Sequence, residues 1–421
     1  MKQGAIIFRL VTSEQQLAEL APAWRGLLAD SAQAAPMLDP CWVVTWWKHY
    51  GRGRTLACGV FEAEGQLVGL APFCLRSHWY KRILRYRRLE FLGSAANEPD
   101  ALCSEYLDLI VRRGREDAVA AECARALLAG AFGAWDECVL EAMATSAVGN
   151  SVMQQLGQLG SGLETGPVET APYVRLPANW DAYLDLLSSK QRRYLKTSLR
   201  HFESWAAPSG YEVHRAHDAA SLRVGMTILA RLHAERWRQD DEAGAFTAPR
   251  FSAFHSEYAE AALASGQIEL VWVTVAGEPI MAHYNLIGRD TVYFYQSGRK
   301  VGLPNSIRPG IVMHILVLQD AMAKGYREYD FLGGDSTYKR LLATDARPLA
   351  NRRVARPSAS ERVLQSAKRA LSSLRQVRTQ LWPGARSHDV LTRRLRRAQA
   401  PRATQPELSP PAPAPHAPRN K

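Results

Sequence analysis

The clearest alternation of apolar and polar positions runs from Gln267 to Gly298, where QIELVWVTV, PIMAHYNLI and TVYFYQSG are separated by turn residues at Gly277 to Pro279 and at Gly288 to Asp290. A period of two, carried by Val, Ile, Tyr, Phe and Trp, is what a pleated, half-buried surface selects, and it predicts three consecutive strands. Helical spacing brackets them. Upstream, Ser188 and Ser189 are placed to cap KQRRYLKTSLRHFESW, which ends before Pro208 and Gly210, and two further helices read ASLRVGMTILARLHAERWRQ and FSAFHSEYAEAALAS. Downstream, SIRPG leads into IVMHILVLQDAMAKG, with Gly325 as the stop, and the chain returns through YREYDFLGGD. Strand, loop, helix, strand is a unit that can hold a cofactor phosphate.

The earlier part has the same mixed texture. LACGVFEA and QLVGLAPFCLR flank Glu64 and Gly65 as a hairpin; an apolar segment EYLDLIV, an alanine-rich helix from Glu116 to Leu128 and a strand-like ECVLEAM follow. No exact repeat is visible, although the order of elements loosely echoes the later half. Beyond about residue 353 the pattern changes: Val363, Leu364, Ala367, Leu371, Leu374 and Leu381 fall at helical spacing among Arg362, Lys368, Arg369, Arg375 and Arg378. Seven prolines within residues 401–421 then predict a disordered, partly polyproline II-like end. The expected organisation is an α+β body in two domains, 1–175 and 176–352, followed by a basic helical and Pro-rich tail, 353–421.

Length and composition agree with two domains plus an appendage, since 421 residues with 47% hydrophobic and 22% charged side chains exceed one ordinary core. The net charge of +12 suggests a polyanion partner until it is divided. Arg352 to Lys421 hold 16 Lys+Arg against 3 acidic residues, leaving 37 basic and 38 acidic residues elsewhere. A near-neutral body has no overall field for nucleic acid, so a nucleic-acid partner is disfavoured. The six cysteines form no CxxC pair, which argues against zinc and redox motifs, and no metal is expected. The longest apolar run, Ile311 to Leu318, contains His314 and is too short to span a membrane, and the N-terminus lacks a secretory pattern. A cytoplasmic protein is expected, with peripheral contact to the inner membrane through the basic tail as an added expectation.

Moving an acyl group from a thioester to an amine needs a pyrophosphate cradle, an oxyanion donor, removal of the ammonium proton and an acid for the thiolate. Ser306 to Ile311, just ahead of a helix, suit the cradle, with Arg308 adding charge and Gly310 allowing close backbone approach; a plain turn is the competing reading. His283 lies mid-strand on a face with Met281, Asn285 and Ile287, Tyr284 pointing away, and is either a general base or a hydrogen-bonded sheet histidine. A backbone amide of that strand would polarise the carbonyl. Tyr338 and Lys339 follow the GGD turn: Tyr338 as acid and Lys339 as a phosphate partner, or both as an exposed loop pair. Asp335 would hold the amine, and Asp330 would brace the turn. The basic face formed by Lys190, Arg192, Arg193, Lys196 and Arg200 is read as solvated, with an anionic substrate as the alternative.

LHAERW (Leu232 to Trp237), the AF pair at 245 and 246, PRFSAFH (Pro249 to His255), YFYQSG (Tyr293 to Gly298), RPG at 308–310 and above all YDFLGGDSTYKR (Tyr329 to Arg340) resemble, in order and spacing, the bacterial branch of the GNAT superfamily associated with acetyl transfer in cellulose biosynthesis. Pro40 with Cys41 and Trp42, TWWKHYG, LVGLAPF, LEFLG and SEYLDL extend the resemblance more loosely to the N-terminal half. The resemblance implies two tandem GNAT-like domains with mixed sheets flanked by helices. The C-terminal copy would hold acetyl-CoA or another acyl-CoA at Ser306, Arg308, Gly310, Ile311 and Lys339, with His283, Tyr338 and Asp335 catalytic; the N-terminal copy would be degenerate and structural. The usual Q/R-x-x-G-x-G/A loop is replaced by GRKVGLPNSIRPG. The acceptor implied is a small-molecule or sugar amine, in exopolysaccharide or cellulose production. A similar G-x-x-x-YDF-x-G element occurs in the Fem peptidyltransferases, whose aminoacyl-tRNA donor makes the second reading; a non-catalytic accessory protein, docked by its tail to an anionic membrane or a polysaccharide synthase, is the third.

Overall fold

The computed structural model describes residues 5–94, 100, 102–159, 162–334 and 336–381. Two compact units divide the chain, Met1–Arg362 and Val363–Lys421. The first half of the larger unit runs β1 (Ile7–Val11), α1 (Glu14–Glu19), α2 (Ala21–Ala29), α3 (Pro40–Tyr50), β2 (Arg54–Ala63), β3 (Gln66–Tyr80), β4 (Leu84–Phe91), β5 (Ile110–Val111), α4 (Glu116–Leu128), β6 (Glu137–Ala144), α5 (Val148–Leu159), β7 (Leu163–Thr165) and β8 (Glu169–Arg175). The second half runs α6 (Trp180–Leu186), α7 (Ser189–Ala206), β9 (Tyr211–Arg215), α8 (Ala219–Arg238), α9 (Pro249–Ala264), β10 (Ile268–Val275), β11 (Glu278–Ile287), β12 (Thr291–Arg299), α10 (Pro309–Ala323), β13 (Glu328–Asp330), α11 (Thr337–Leu342) and β14 (Asp345–Ala355). A helix α12 (Ala359–Leu381) follows, and it holds every described residue of the smaller unit. The Pro-rich segment 401–421 lies outside the described residues.

Local chemistry accounts for most boundaries. Ser188 and Gln191 form a reciprocal capping box on α7, and Asp218 with Ser221 does the same on α8. The hairpin turn at Glu64 and Gly65 has φ of 54° and 73°, and that at Ala276 and Gly277 has 51° and 76°, the left-handed pair that a two-residue hairpin needs. Gly325, at φ 80°, follows the C-cap of α10. EYLDLIV yields only the two-residue β5, because its backbone turns through Tyr106 at φ 64°.

The described strands join one sheet in the order β1-β2-β3-β4-β6-β14-β8-β13-β12-β11-β10-β9, with β5 beside β3 and β7 beside β14. This order is palindromic in role. Each half contributes four antiparallel strands, then a helical crossover (α4 or α10), then a strand parallel to the fourth: β6 beside β4, β13 beside β12. The next place is exchanged. β8 pairs with β13 of the other half, while β14 pairs with β8 through Asp345–Leu349 and with β6 through Leu349–Ala355. Neither half closes its sheet without a strand from the other, so the doubled α+β architecture is one continuous layer.

The exchanged strand is fastened by buried charge. Glu137 on β6 accepts from Arg88 Nε (2.7 Å), Arg353 Nε (2.6 Å) and the Tyr80 hydroxyl (2.6 Å), while Arg353 on β14 also donates to both oxygens of Glu361. Four sequence segments therefore share one carboxylate. In the second half, α8 lies close against β12: a Cβ on Gly298 would come within 2.7 Å of His233 N and 2.9 Å of Leu229 O. His233 locks the same contact, its Nδ1 donating to Ser297 O (2.8 Å) while its Nε2 accepts from Ala245 N–H (3.2 Å).

Candidate active site

β12 pairs with β13 only through Thr291, Val292 and Tyr293. From Phe294 onward the two strands part, because β13 ends at Asp330 and Phe331 N–H bonds instead to Pro172 O (3.0 Å). The separation leaves the far edge of β12 without a strand neighbour, directly before the loop that leads into α10.

At the opening of α10, Arg308 is the N-cap in the left-handed region (φ 43°, ψ 57°), without a side-chain cap. Pro309 has no N–H, and the amides of Ile311 and Val312 bond back to Arg308 O at 3.0 and 3.1 Å. The Gly310 N–H meets no acceptor among the described residues. A Cβ on Gly310 would touch only Arg299 Cδ, at 3.6 Å, so the helix end is open on that side. Ser306 is exposed at the mouth, whereas Ile311 is buried and packs into the core. Arg308 turns toward α7, its guanidinium 4.3 Å over the Tyr194 ring and donating to Ser198 Oγ (3.1 Å).

Arg299 was not among the residues the sequence singled out. It ends β12, is half-buried beside Gly310, and has no ion-pair partner among the described residues. Burial and the nearby Arg236 charge hold its pKa below the usual arginine value. A half-buried cation at an open helix N-terminus suits an anion. Its only sequence signal is its position, the last strand residue before the loop.

Tyr338 reaches α10 at His314, one helical turn beyond Gly310. It belongs to the short helix α11, and its ring stacks on His314 at 5.3 Å and 22°. His314 is four residues beyond Gly310 on the same face of α10, about 6 Å along the axis. Phe294, where β12 leaves β13, is 4.6 Å from His314 and 6.4 Å from Tyr338, centroid to centroid. The strand separation and the Tyr338 ring thus converge on His314, one turn beyond the opening of α10. Burial pushes the Tyr338 pKa up to about 12, so its hydroxyl keeps its proton at neutral pH.

His283 lies beneath this layer, 1% exposed, with its ring 4.5 Å from His314 and 4.8 Å from Phe294. Its strand face is the one expected, since Tyr284 points to the opposite side, against His255. Burial lowers its pKa to about 3 and its Nδ1 has no hydrogen-bond partner, so the imidazole is neutral. His314 is likewise held well below its usual pKa, mainly by burial, and its Nδ1 contacts the Tyr329 hydroxyl at 3.1 Å.

The YDFLGGDSTYKR segment also clamps the two halves together. Asp330 accepts from Leu332 N–H and the Tyr106 hydroxyl, both at 2.7 Å, and so braces the turn. Gly333 N–H donates to Glu105 at 3.0 Å, and a Cβ there would fall 2.8 Å from that carboxylate. The Lys339 ammonium donates to Gly333 O (2.6 Å) and Leu332 O (3.3 Å), holding its own turn. Asp335 lies outside the described residues.

A helix N-terminus after a parted strand pair, in a doubled mixed sheet, defines the GNAT class of fold. Residues 189–340, from α7 into α11, match the family described as Acetyltransferase (GNAT) domain, which gives this part of the chain a GNAT-type fold. No curated protein matches the chain in sequence. Among solved structures it is similar to FemX, at 11% identity and a TM-score of 0.55 over 82% of this chain and 96% of that one. It is also similar to L-PGS from Bacillus licheniformis, at 13% identity and a TM-score of 0.50 over 85% and 96%. At such identities the likeness is one of fold, and it extends over both halves.

Proposed function

We propose that this protein is an acyl-CoA-dependent N-acyltransferase, moving an acetyl group onto an amine of a small metabolite or sugar, with exopolysaccharide production as its setting. The observation that carries this reading is the convergence of a released strand edge at Phe294 and the protonated phenol of Tyr338 on His314, one turn beyond an open helix end. The Gly310 amide, Arg299 and the Ser306–Arg308 mouth suit the diphosphate of the donor. The free edge of β12 offers backbone amides to the thioester carbonyl. When the amine nitrogen attacks that carbon and the C–S bond breaks, the Tyr338 hydroxyl supplies the proton that the departing sulfur takes up. Asp335 is assigned to the acceptor's ammonium. The neutral His314 ring stacks on Tyr338, with His283 packed against His314; the proton released by the acceptor's nitrogen passes to water, and water returns one to the Tyr338 phenolate.

Incubating purified protein with acetyl-CoA and a panel of amines, with thiol release as readout, tests the reading. Release that depends on one acceptor class supports it; no release, together with deacylation of charged tRNA in the presence of a peptidoglycan precursor, replaces it with the Fem-like reading. Arg299→Ala is expected to raise the Kd for acetyl-CoA about tenfold, the discounted worth of one half-exposed charge-assisted contact, with kcat little changed. Titration calorimetry paired with steady-state rates checks the split.

A further inference from the structure

The β3–β4 hairpin extends past the body of the sheet. β3 pairs with β2 only as far as Arg76, and β4 meets β6 only at Arg88 and Leu89, so residues 77–87 form a two-stranded arm. Its register, Ser77 opposite Arg87 and Trp79 opposite Arg85, puts these four side chains on one face, and all four are exposed. The tip adds Lys81, Arg82 and Ile83. Trp79 is 53% exposed and Ile83 77%, so an aromatic and an aliphatic side chain stand in solvent together at the end of the hairpin. The opposite face is tied down: Tyr80 donates to Glu137 (2.6 Å) and Tyr86 to Glu361 (3.1 Å), so the outer face is held out on a fixed support.

Two further observations concern this arm. Residues 76–88 hold six Lys and Arg and no acid, although residues 1–351 carry 37 basic and 38 acidic residues. Arg76, Arg87 and Arg88 are paired with Glu90, Asp136 and Glu137, whereas Lys81, Arg82 and Arg85 meet no acid among the described residues. The turn itself breaks a local rule. Ile83 N bonds to Tyr80 O (3.0 Å) across Lys81 and Arg82, whose φ values are 48° and 62°. With Tyr80 opposite Leu84 the loop is Lys81–Ile83, and its two left-handed positions are ones that Asn and Gly fill most readily, as Gly65 and Gly277 do in the two-residue hairpins here. Two long cations in left-handed backbone cost stability, and such local departures mark positions kept for another purpose.

We propose that this arm docks the protein on an anionic phospholipid surface, with Trp79 and Ile83 entering the boundary between headgroups and acyl chains while Lys81, Arg82 and Arg85 meet lipid phosphates. A cationic, Trp-bearing tip is complementary to that interface. The arm is a surface contact, and no helix among the described residues is long and apolar enough to cross a membrane.

The test uses the full-length chain in cosedimentation with vesicles of phosphatidylcholine alone or with one-third phosphatidylglycerol. Wild type is expected to partition onto the mixed vesicles and not the neutral ones. Lys81→Asn with Arg82→Gly should reduce partitioning roughly thirtyfold, from the loss of two cations at an anionic surface, while raising Tm because the turn now carries the residues its geometry favours. Trp79→Ser with Ile83→Ser should also weaken binding and leave thiol release with a soluble amine unchanged. Equal partitioning of wild type and both variants would place membrane contact elsewhere and overturn the proposal. So would indifference to vesicles combined with hairpin-dependent retardation of RNA.

Discussion

Tyr338→Phe is expected to lower kcat by about two to four orders of magnitude, the usual contribution of a positioned general acid, while leaving the Kd for acetyl-CoA within about twofold. The substitution removes one oxygen and keeps the ring that stacks on His314, so a change in melting temperature is not expected. The pH dependence carries a second, independent sign. A phenol with an ordinary pKa near 10 would begin to lose its proton, and the enzyme its activity, as the pH approached 10. With burial raising Tyr338 to about 12, the wild-type rate should show no alkaline limb up to about pH 10. Unchanged turnover in the Phe variant, or a limb near pH 10 that the variant retains, would return Tyr338 to a packing role.

Glu137→Ala is expected to destabilise the larger unit by about 3–5 kcal/mol, read as a fall in denaturant midpoint, because it leaves the buried Arg88 guanidinium without an acidic partner among the described residues and takes from Arg353 one of its partners, Glu361 remaining. Arg88 and Arg353 both direct Nε at this carboxylate, whose side chain is fully buried. Burial opposes its ionisation, but Arg88, Tyr80 and Arg353 outweigh that and hold its pKa below the ordinary 4.5. The sign of the pH effect follows. A depressed carboxylate gives stability that is fully present above 4.5 and is lost as the pH falls through the lower folded value, so wild type should lose stability in that acid range and the Ala variant should lose less. Because Arg353 lies on β14 and Glu137 on β6, the variant should also loosen the exchanged strand, which hydrogen exchange at Leu349–Ala355 would report.

Local patterning made much of the fold legible. The capping residues of α7, the helix over Glu116–Leu128 and the strands between Ile268 and Arg299 each carry their own periodicity and stop signals, and they form within a residue or two of where those signals lie. The exchange of β8 and β14 was not legible, because strand partners far apart in sequence leave no local trace. Site residues divide in the same way. The Arg308–Ile311 opening of α10 is written in Pro-Gly before an apolar helix; yet Ile311 proves to be core and its amide is spent on Arg308 O. Lys339 had the composition of a ligand residue, and tertiary folding turns its ammonium onto Leu332 and Gly333 carbonyls. Arg299 became visible only when its place beside Gly310 was known. The imidazole of His283, chosen for its usual pKa, is drawn toward about 3 by burial that one strand's sequence does not reveal.

The open end of α10 as a seat for the donor's diphosphate is the premise from which the catalytic roles follow. Calorimetric titration of the full-length protein with acetyl-CoA measures it most directly. Saturable one-to-one binding that weakens about tenfold in Arg299→Ala and persists in Tyr338→Phe is the predicted result. No heat of binding, or an affinity indifferent to Arg299, would contradict it.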